Sequence, residues 1–265
     1  MPTTATAPLL FPGHVIALDS QDEPDVLAIQ HRLNELGVNV DVNGEFDRAT
    51  AEAVKLFQAR STDLDGTPLE VDGIVGPLTW AALFGPESVS GLIRPSSPLL
   101  AAVLEFAATQ IGVMEDPLGS NRGPEVDEYI RSVGLDPAGH FAWCVAFMFF
   151  CFENAASRLG RANPMVKTAG VIDHWNKAGT RGIPRIAASE AEQTPSLVKP
   201  GHIFVIRTSA IHGHSGFIER VNGGKLVTIE GNTNEGGGRE GIGVFRRTAR
   251  KIVSINKGFI DYNGV

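Results

Sequence analysis

The sequence predicts an α+β chain in two parts, a small three-helix domain followed by a larger domain whose helices pack on an antiparallel sheet. Three observations carry that expectation. Apolar residues recur at helical spacing between Val26 and Phe84, with an internal echo. A stretch rich in proline, serine and glycine comes next, and past Pro200 the apolar pattern shortens to β-type runs. The limits read this way are 20–85 for the first domain, 86–98 for a linker and 99–265 for the second domain.

In the first part, Val26, Ile29, Leu33 and Leu36 mark one helix face, and Gly37 stops that helix. Asp47 is placed to cap a second helix carrying Ala49, Ala53, Leu56 and Phe57. Gly76-Pro77 opens a third, followed by Trp80 and Leu83. The segment Val42-Asn43-Gly44, Thr50, Ala53-Val54 superposes without a gap on Val71-Asp72-Gly73, Thr79, Ala82-Leu83. Each copy reads as a turn feeding a short helix, so a duplicated turn–helix unit is expected. Gly85 to Pro98 is linker by composition.

Ser97-Pro98 caps the next helix, which runs through Leu100, Val103, Leu104, Ala107 and Ile111 to Gly112. A polar loop from Glu115 to Gly123 leads to a short helix from Pro124 to Val133. Phe141 to Phe150 is apolar on all sides, which predicts a buried central helix starting soon after Gly139, with Cys144 in its first turn. Strands are expected at 203–206, 215–221, 226–230, 243–247 and 252–255, with Asn222-Gly223-Gly224 as a hairpin turn.

The formal net charge of -7 argues against non-specific binding to nucleic acid or anionic lipid. No apolar run is long enough to span a membrane, and the N-terminus lacks a secretory signal pattern. The two cysteines, Cys144 and Cys151, are seven residues apart in one predicted helix. That is roughly 10 Å, too far for a disulfide, so two free thiols are expected.

A helix start favours negative charge, and the thiolate is the nucleophilic form of cysteine. Cys144 is therefore a candidate nucleophile, while Cys151, deeper in the helix, reads as core. His214 begins one strand and Glu230 ends its hairpin partner, so antiparallel pairing brings them to the same end of the sheet, with Asn232 just beyond. A histidine there can act as base toward Cys144 while a carboxylate or amide on its far side orients it.

Two resemblances sharpen this reading. The residues Ile29-Gln30-His31-Arg32-Leu33, Asn43-Gly44-Glu45-Phe46-Asp47, Ala53-Val54-Lys55-Leu56-Phe57-Gln58 and Val71-Asp72-Gly73-Ile74-Val75-Gly76-Pro77-Leu78-Thr79-Trp80 resemble the peptidoglycan-binding domain family of three-helix wall-binding modules. Asp47, Gln58, Asp72 and Trp80 are candidate wall contacts, although most motif residues of such a module also serve as turns, caps and core. From Leu99 to Tyr262 the chain resembles the CHAP family of papain-like amidohydrolases. The resemblance is carried by Trp143-Cys144-Val145-Ala146-Phe147, Lys199-Pro200-Gly201-His202-Ile203-Phe204-Val205, His214-Ser215-Gly216-Phe217-Ile218 and Thr228-Ile229-Glu230-Gly231-Asn232-Thr233.

The second resemblance implies a peptidoglycan hydrolase, either an N-acetylmuramoyl-L-alanine amidase or a stem-peptide endopeptidase. Cys144 would be its nucleophile, His214 its base and acid, and Glu230 or Asn232 the group orienting the imidazole. Trp143 and Trp175 are candidates to line the substrate cleft. The chain departs from the family where Trp143 replaces a common glutamine, where His202 replaces a common aspartate, and in having no dense acidic calcium loop. No cofactor or required metal is therefore expected. The expected protein is an endolysin-like monomer whose partner is peptidoglycan. It would be made in the cytoplasm and reach the wall by holin-type release or through a secretion system.

Two rivals stand beside this reading. His212 and His214, with His202 or His140, could hold zinc in a metal hydrolase. Alternatively the chain could be a non-catalytic wall-binding or phage-tail protein with a degenerate hydrolase domain.

Overall fold

The structure, a computed structural model, describes residues 9–89, 91, 95–233 and 241–265, the side chain of Ala249 excepted. Two compact units result, the first built mainly from residues before Gly91 and the second from most of the rest. Helices come first and a six-stranded antiparallel sheet follows, the α+β arrangement expected from the periodicities.

The first unit holds α1 (Glu23–Glu35), α2 (Arg48–Gln58) and α3 (Pro77–Phe84). Val26, Ile29 and Leu33 of α1 bury against Val54, Phe57, Trp80 and Leu83. The core also takes in Ile16 and Val89, and the backbones of Ile16 and Val75 form a bridge. Asp47 caps α2, its Oδ1 accepting the Thr50 N–H at 2.8 Å. Residues 90 and 92–94 of the expected linker lie outside the described residues.

The duplication has a physical basis one helix back from each turn. Gln30 Oε1 accepts the Asn43 and Gly44 amides at 3.0 and 2.9 Å, while its Nε2 donates to Asn43 Oδ1, Glu45 O and Thr50 Oγ1. Gln58 repeats the pattern with the Asp72 and Gly73 amides at 3.1 and 2.9 Å and with Asp72 Oδ1, Ile74 O and Thr79 Oγ1. Each buried amide thereby satisfies a turn whose glycine has φ of +79°.

The second unit contains α4 (Pro98–Thr109), α5 (Pro124–Ser132), α6 (Cys144–Arg158), α7 (Val171–Thr180) and the short α8 (Ala188–Gln193). Its strands are β1 (Arg185–Ala187), β2 (Ile203–Arg207), β3 (Gly213–Asn222), β4 (Lys225–Thr233), β5 (Gly243–Lys251) and β6 (Gly258–Ile260), ordered β1-β6-β2-β3-β4-β5. Alternation along the strands feeds two cores. Ile203, Val205, Phe217, Ile229 and Ile260 face the helices, while Phe204, Ile218, Leu226 and Phe259 fill the other side. Gly223 and Gly224, both at positive φ, make the two-residue β3–β4 turn.

Helix α6 is the centre of the unit and packs on α4, α5, α7 and β4. Both cysteines are free and buried. Gly231 lets α6 approach β4, since a Cβ there would fall 2.7 Å from Phe147 Cγ.

Three details differ from expectation. Helix α6 begins at Cys144, later than expected, because the chain before it takes a left-handed residue at His140 (φ 51°). Residues 252–255, read as a strand, form a 3₁₀ turn at Ile252–Ser254, which buries Ile252 and Ile255 at helical rather than alternate spacing. Helix α7 and the short strands β1 and β6 had no counterpart in the sequence reading.

Candidate active site

The helical ladder of α6 opens with the Phe147 N–H donating to Trp143 O at 2.8 Å. The Cys144, Val145 and Ala146 amides therefore lie outside it and, with the helix dipole, make the start of α6 electropositive. Cys144, only 4% exposed, is the first residue of that helix.

His214 sits at the second position of β3, and its Nε2 lies 2.7 Å from Glu230 Oε2 on β4. Because Nε2 is committed to the carboxylate, the hydrogen bond between His214 and Cys144 falls to Nδ1. Gly216 makes this possible: a Cβ there would lie 2.9 Å from Glu230 Cγ, closing the path of the carboxylate to the imidazole. Burial by itself would lower the imidazole pKa, but the bonds to Cys144 and Glu230 and their negative charge push it up to about 9. The direction of that shift favours the imidazolium over the neutral ring.

Glu230 is wholly buried. Burial would raise its pKa, yet Arg250 and His214 hold it down at about 2. Arg250 donates from Nε and Nη2 to the two Glu230 oxygens at 2.5 and 2.6 Å, and Thr228 Oγ1 donates to Oε1 at 2.5 Å. Arg247 Nε stands 3.9 Å from the same oxygen. A line of alternating charge therefore runs inward from the helix start, through His214 and Glu230 to Arg250.

The sequence reading did not single out Arg250 or Thr228. In register, Leu226 pairs with Arg250 and Thr228 with Arg247, so β5 spends three residues where β4 spends two. That bulge puts both arginines on the Glu230 face, whereas strict alternation would point residues three apart to opposite faces.

The other predicted residues fall in distinct places. Asn232, at φ 52°, does not hold the imidazole. With its amide turned to satisfy both atoms, it accepts the Trp143 N–H at 3.0 Å and donates to Gly241 O at 3.3 Å, tethering the start of α6. Trp143 is 0% exposed, packs against Tyr129, and donates its indole N–H to Glu115 Oε1 at 2.9 Å. Buried Glu115 also accepts the Asn121 N–H at 3.1 Å, so it ties the polar loop to the residue before Cys144. Trp175 is buried with Arg185 and Lys257 over its ring. Trp143, fully enclosed, therefore does not line a cleft, while Trp175 keeps a small exposed fraction of 7%.

In the first unit Trp80 is 0% exposed, and every polar atom of the Gln58 amide is used by its turn, which corrects their reading as wall contacts. Asp72 is exposed, but its Oδ1 is held by Gln58 and the Ile74 N–H. Asp47 borders an open polar cleft of about 500 Å³, which Asp19, Ser20, Gln21, Glu23 and residues 43–46 complete.

The four histidines of the zinc reading turn to different partners. His214 meets Glu230, His212 meets Ser209, His140 meets Ser120 O, and His202 lies 3.5 Å from Asp261. His202 Nδ1 also accepts the Lys199 N–H at 3.4 Å, closing the turn into β2. Among the described residues, no three histidine, cysteine, aspartate or glutamate side chains gather as a metal site. No helix among them is long and apolar enough to cross a membrane.

Comparison with known families agrees with this layout. Residues 22–83 match the family described as a putative peptidoglycan binding domain, and residues 136–232 match the CHAP domain. No curated protein and no solved structure matches the chain. The CHAP match takes in Cys144, His214, Glu230 and Asn232 and ends before Arg250. A wall-binding module ahead of a CHAP domain is the architecture of a cell-wall hydrolase.

Proposed function

We propose that the chain is a peptidoglycan hydrolase that cuts an amide bond through a Cys144 thiolate and a His214 imidazolium, with its first domain (20–85) holding the wall and its second (99–265) doing the chemistry. The observation that carries this is the imidazole of His214 between Cys144, at a helix start, and the buried carboxylate of Glu230.

In this mechanism the Cys144 sulfur attacks the amide carbonyl and forms a C–S bond. The resulting oxyanion is received by amides at the start of α6, the Cys144 N–H first among them. His214 gives its proton to the leaving nitrogen as the C–N bond breaks, which leaves a thioester and a free amine. Neutral His214 then takes a proton from water. The hydroxide equivalent attacks the thioester, and the carboxylate product departs with Cys144 again a thiolate. Glu230 stays ionised throughout and holds the ring. Trp143 supplies no oxyanion donor, since its indole is bound to Glu115 and its backbone N–H to Asn232.

The bond is the N-acetylmuramoyl-L-alanine amide or a peptide bond of the stem. Digestion of purified sacculi with wild type, Cys144→Ala and His214→Ala, followed by mass spectrometry of released fragments, identifies it. New termini with wild type alone support the proposal. Equal release by either variant sinks the nucleophile–imidazolium pair, and no release by any of the three favours the binding-only reading.

A further inference from the structure

We infer that Arg250 is a positioning residue for the catalytic pair, clamping both oxygens of Glu230 so that this carboxylate keeps His214 in register with Cys144. The inference rests on the proposed roles of Cys144 and His214. It adds a residue from β5, beyond the segment that matches the CHAP domain.

Four observations carry it. The guanidinium is 12% exposed and bonds Glu230 through two parallel contacts of 2.5 and 2.6 Å, a geometry lysine cannot reproduce. It lies 4.8 Å from the centroid of Phe204, whose ring is itself 5.8 Å from that of His214, so one aromatic side chain spaces the cation from the imidazole. The β5 bulge is what aims Arg250 at this face. Glu230 is wholly buried, and a carboxylate there without a fixed cation would draw a proton.

The groups facing Glu230 are His214 from β3, Thr228 on its own strand, and Arg247 and Arg250 from β5, with Cys144 of α6 beyond His214. Of these, Arg250 makes the strongest claim on the carboxylate. With the clamp in place Glu230 remains an acceptor for the imidazolium in acid. Without it, Glu230 protonates at a higher pH, and the imidazole loses the acceptor that fixes its ring against Cys144.

The test uses full-length protein and no wall substrate. Iodoacetamide alkylation of Cys144 is followed across pH by peptide mass spectrometry, Cys151 being fully buried. Wild type should be alkylated at Cys144 faster at neutral pH than His214→Ala, which lacks the imidazole. Arg250→Gln should move the acid-side midpoint up by about one pH unit or more, and Arg250→Lys by less. If Arg250→Gln loses its cooperative melt, Arg250→Lys carries the test. Adding Arg250→Gln to Glu230→Gln should cause no further shift, because the arginine acts through the carboxylate.

Midpoints that coincide with wild type in the folded variants overturn the inference, as does a further shift in the double variant. Wild-type Cys144 alkylated no faster than in His214→Ala would sink the catalytic-pair reading and this inference with it. A wild type that outpaces His214→Ala, with unshifted Arg250 variants, removes Arg250 alone.

Discussion

Glu230→Gln tests the charge line at its centre. The substitution keeps the shape of the side chain and removes the charge between His214 and Arg250. In the wild type the imidazole is lifted from 6.5 to about 9 against the opposing effect of burial, a preference for the imidazolium worth about 3 kcal/mol. Cys144 and Glu230 supply that preference together, so a neutral amide removes part of it, about 1–2 pH units.

The alkaline limb of kcat/KM on a soluble wall fragment should accordingly move from near 9 toward lower pH. Activity at pH 8 should drop ~2- to 10-fold through loss of the proton donor. The same change strands Arg250, 12% exposed, without its carboxylate, and breaking one side of a buried pair costs about 3–5 kcal/mol in urea unfolding. An alkaline limb that superimposes on wild type in folded Glu230→Gln would refute the claim that Glu230 sustains the imidazolium.

Other consequences can be measured separately. Buried His174, whose Nε2 lies 2.8 Å from the Tyr262 hydroxyl, is held neutral by burial with its pKa lowered from 6.5 to about 4. The unfolded chain takes up the proton first, so stability should fall by on the order of 3 kcal/mol as pH drops from 6.5 through about 4. Urea midpoints across that range should flatten in His174→Gln, and an unaltered slope would mean another group carries the acid sensitivity. Asn232→Ala removes the tether on the Trp143 N–H and should cost about 1–2 kcal/mol and slow turnover, with both pH limbs of kcat/KM unmoved. A displaced alkaline limb would mean Asn232 orients the imidazole after all. Gln58→Ala leaves a turn unpaired and should destabilise the first unit by about 3 kcal/mol on thermal melting, with cleavage of soluble fragments unchanged. A melt identical to wild type would show that water replaces the amide.

Much of this architecture was legible because it is written in short-range periodicity. The helical recurrence at Val26, Ile29 and Leu33, the capping by Asp47 and the β-type runs after Pro200 each depend on neighbours within a few residues. The juxtaposition of His214 and Glu230 followed from one hairpin, with the glycines at 223 and 224 fixing its register. What was not legible depends on register or on side-chain direction. Arg250 is aimed by a bulge that breaks the period of two, and no local composition marks it. Trp143 adjoins Cys144 in sequence, but its place at the helix cap turns the ring inward to Glu115, a partner 28 residues away. Gln58 reads as an exposed polar residue on a helix, and only its mirror in Gln30 reveals it as the buried centre of a repeated turn. Ile252 to Ile255 has strand composition, yet its buried positions fall three apart.

The central claim is that Cys144 forms the covalent bond to the wall fragment. Acid quenching of the enzyme during turnover, then proteolysis and mass spectrometry, measures that bond directly. The account predicts a thioester adduct on the peptide containing Cys144, lost on treatment with hydroxylamine and absent from Cys144→Ala. Release of wall fragments by the wild type with an adduct on another residue, or persisting in Cys144→Ala, would contradict it.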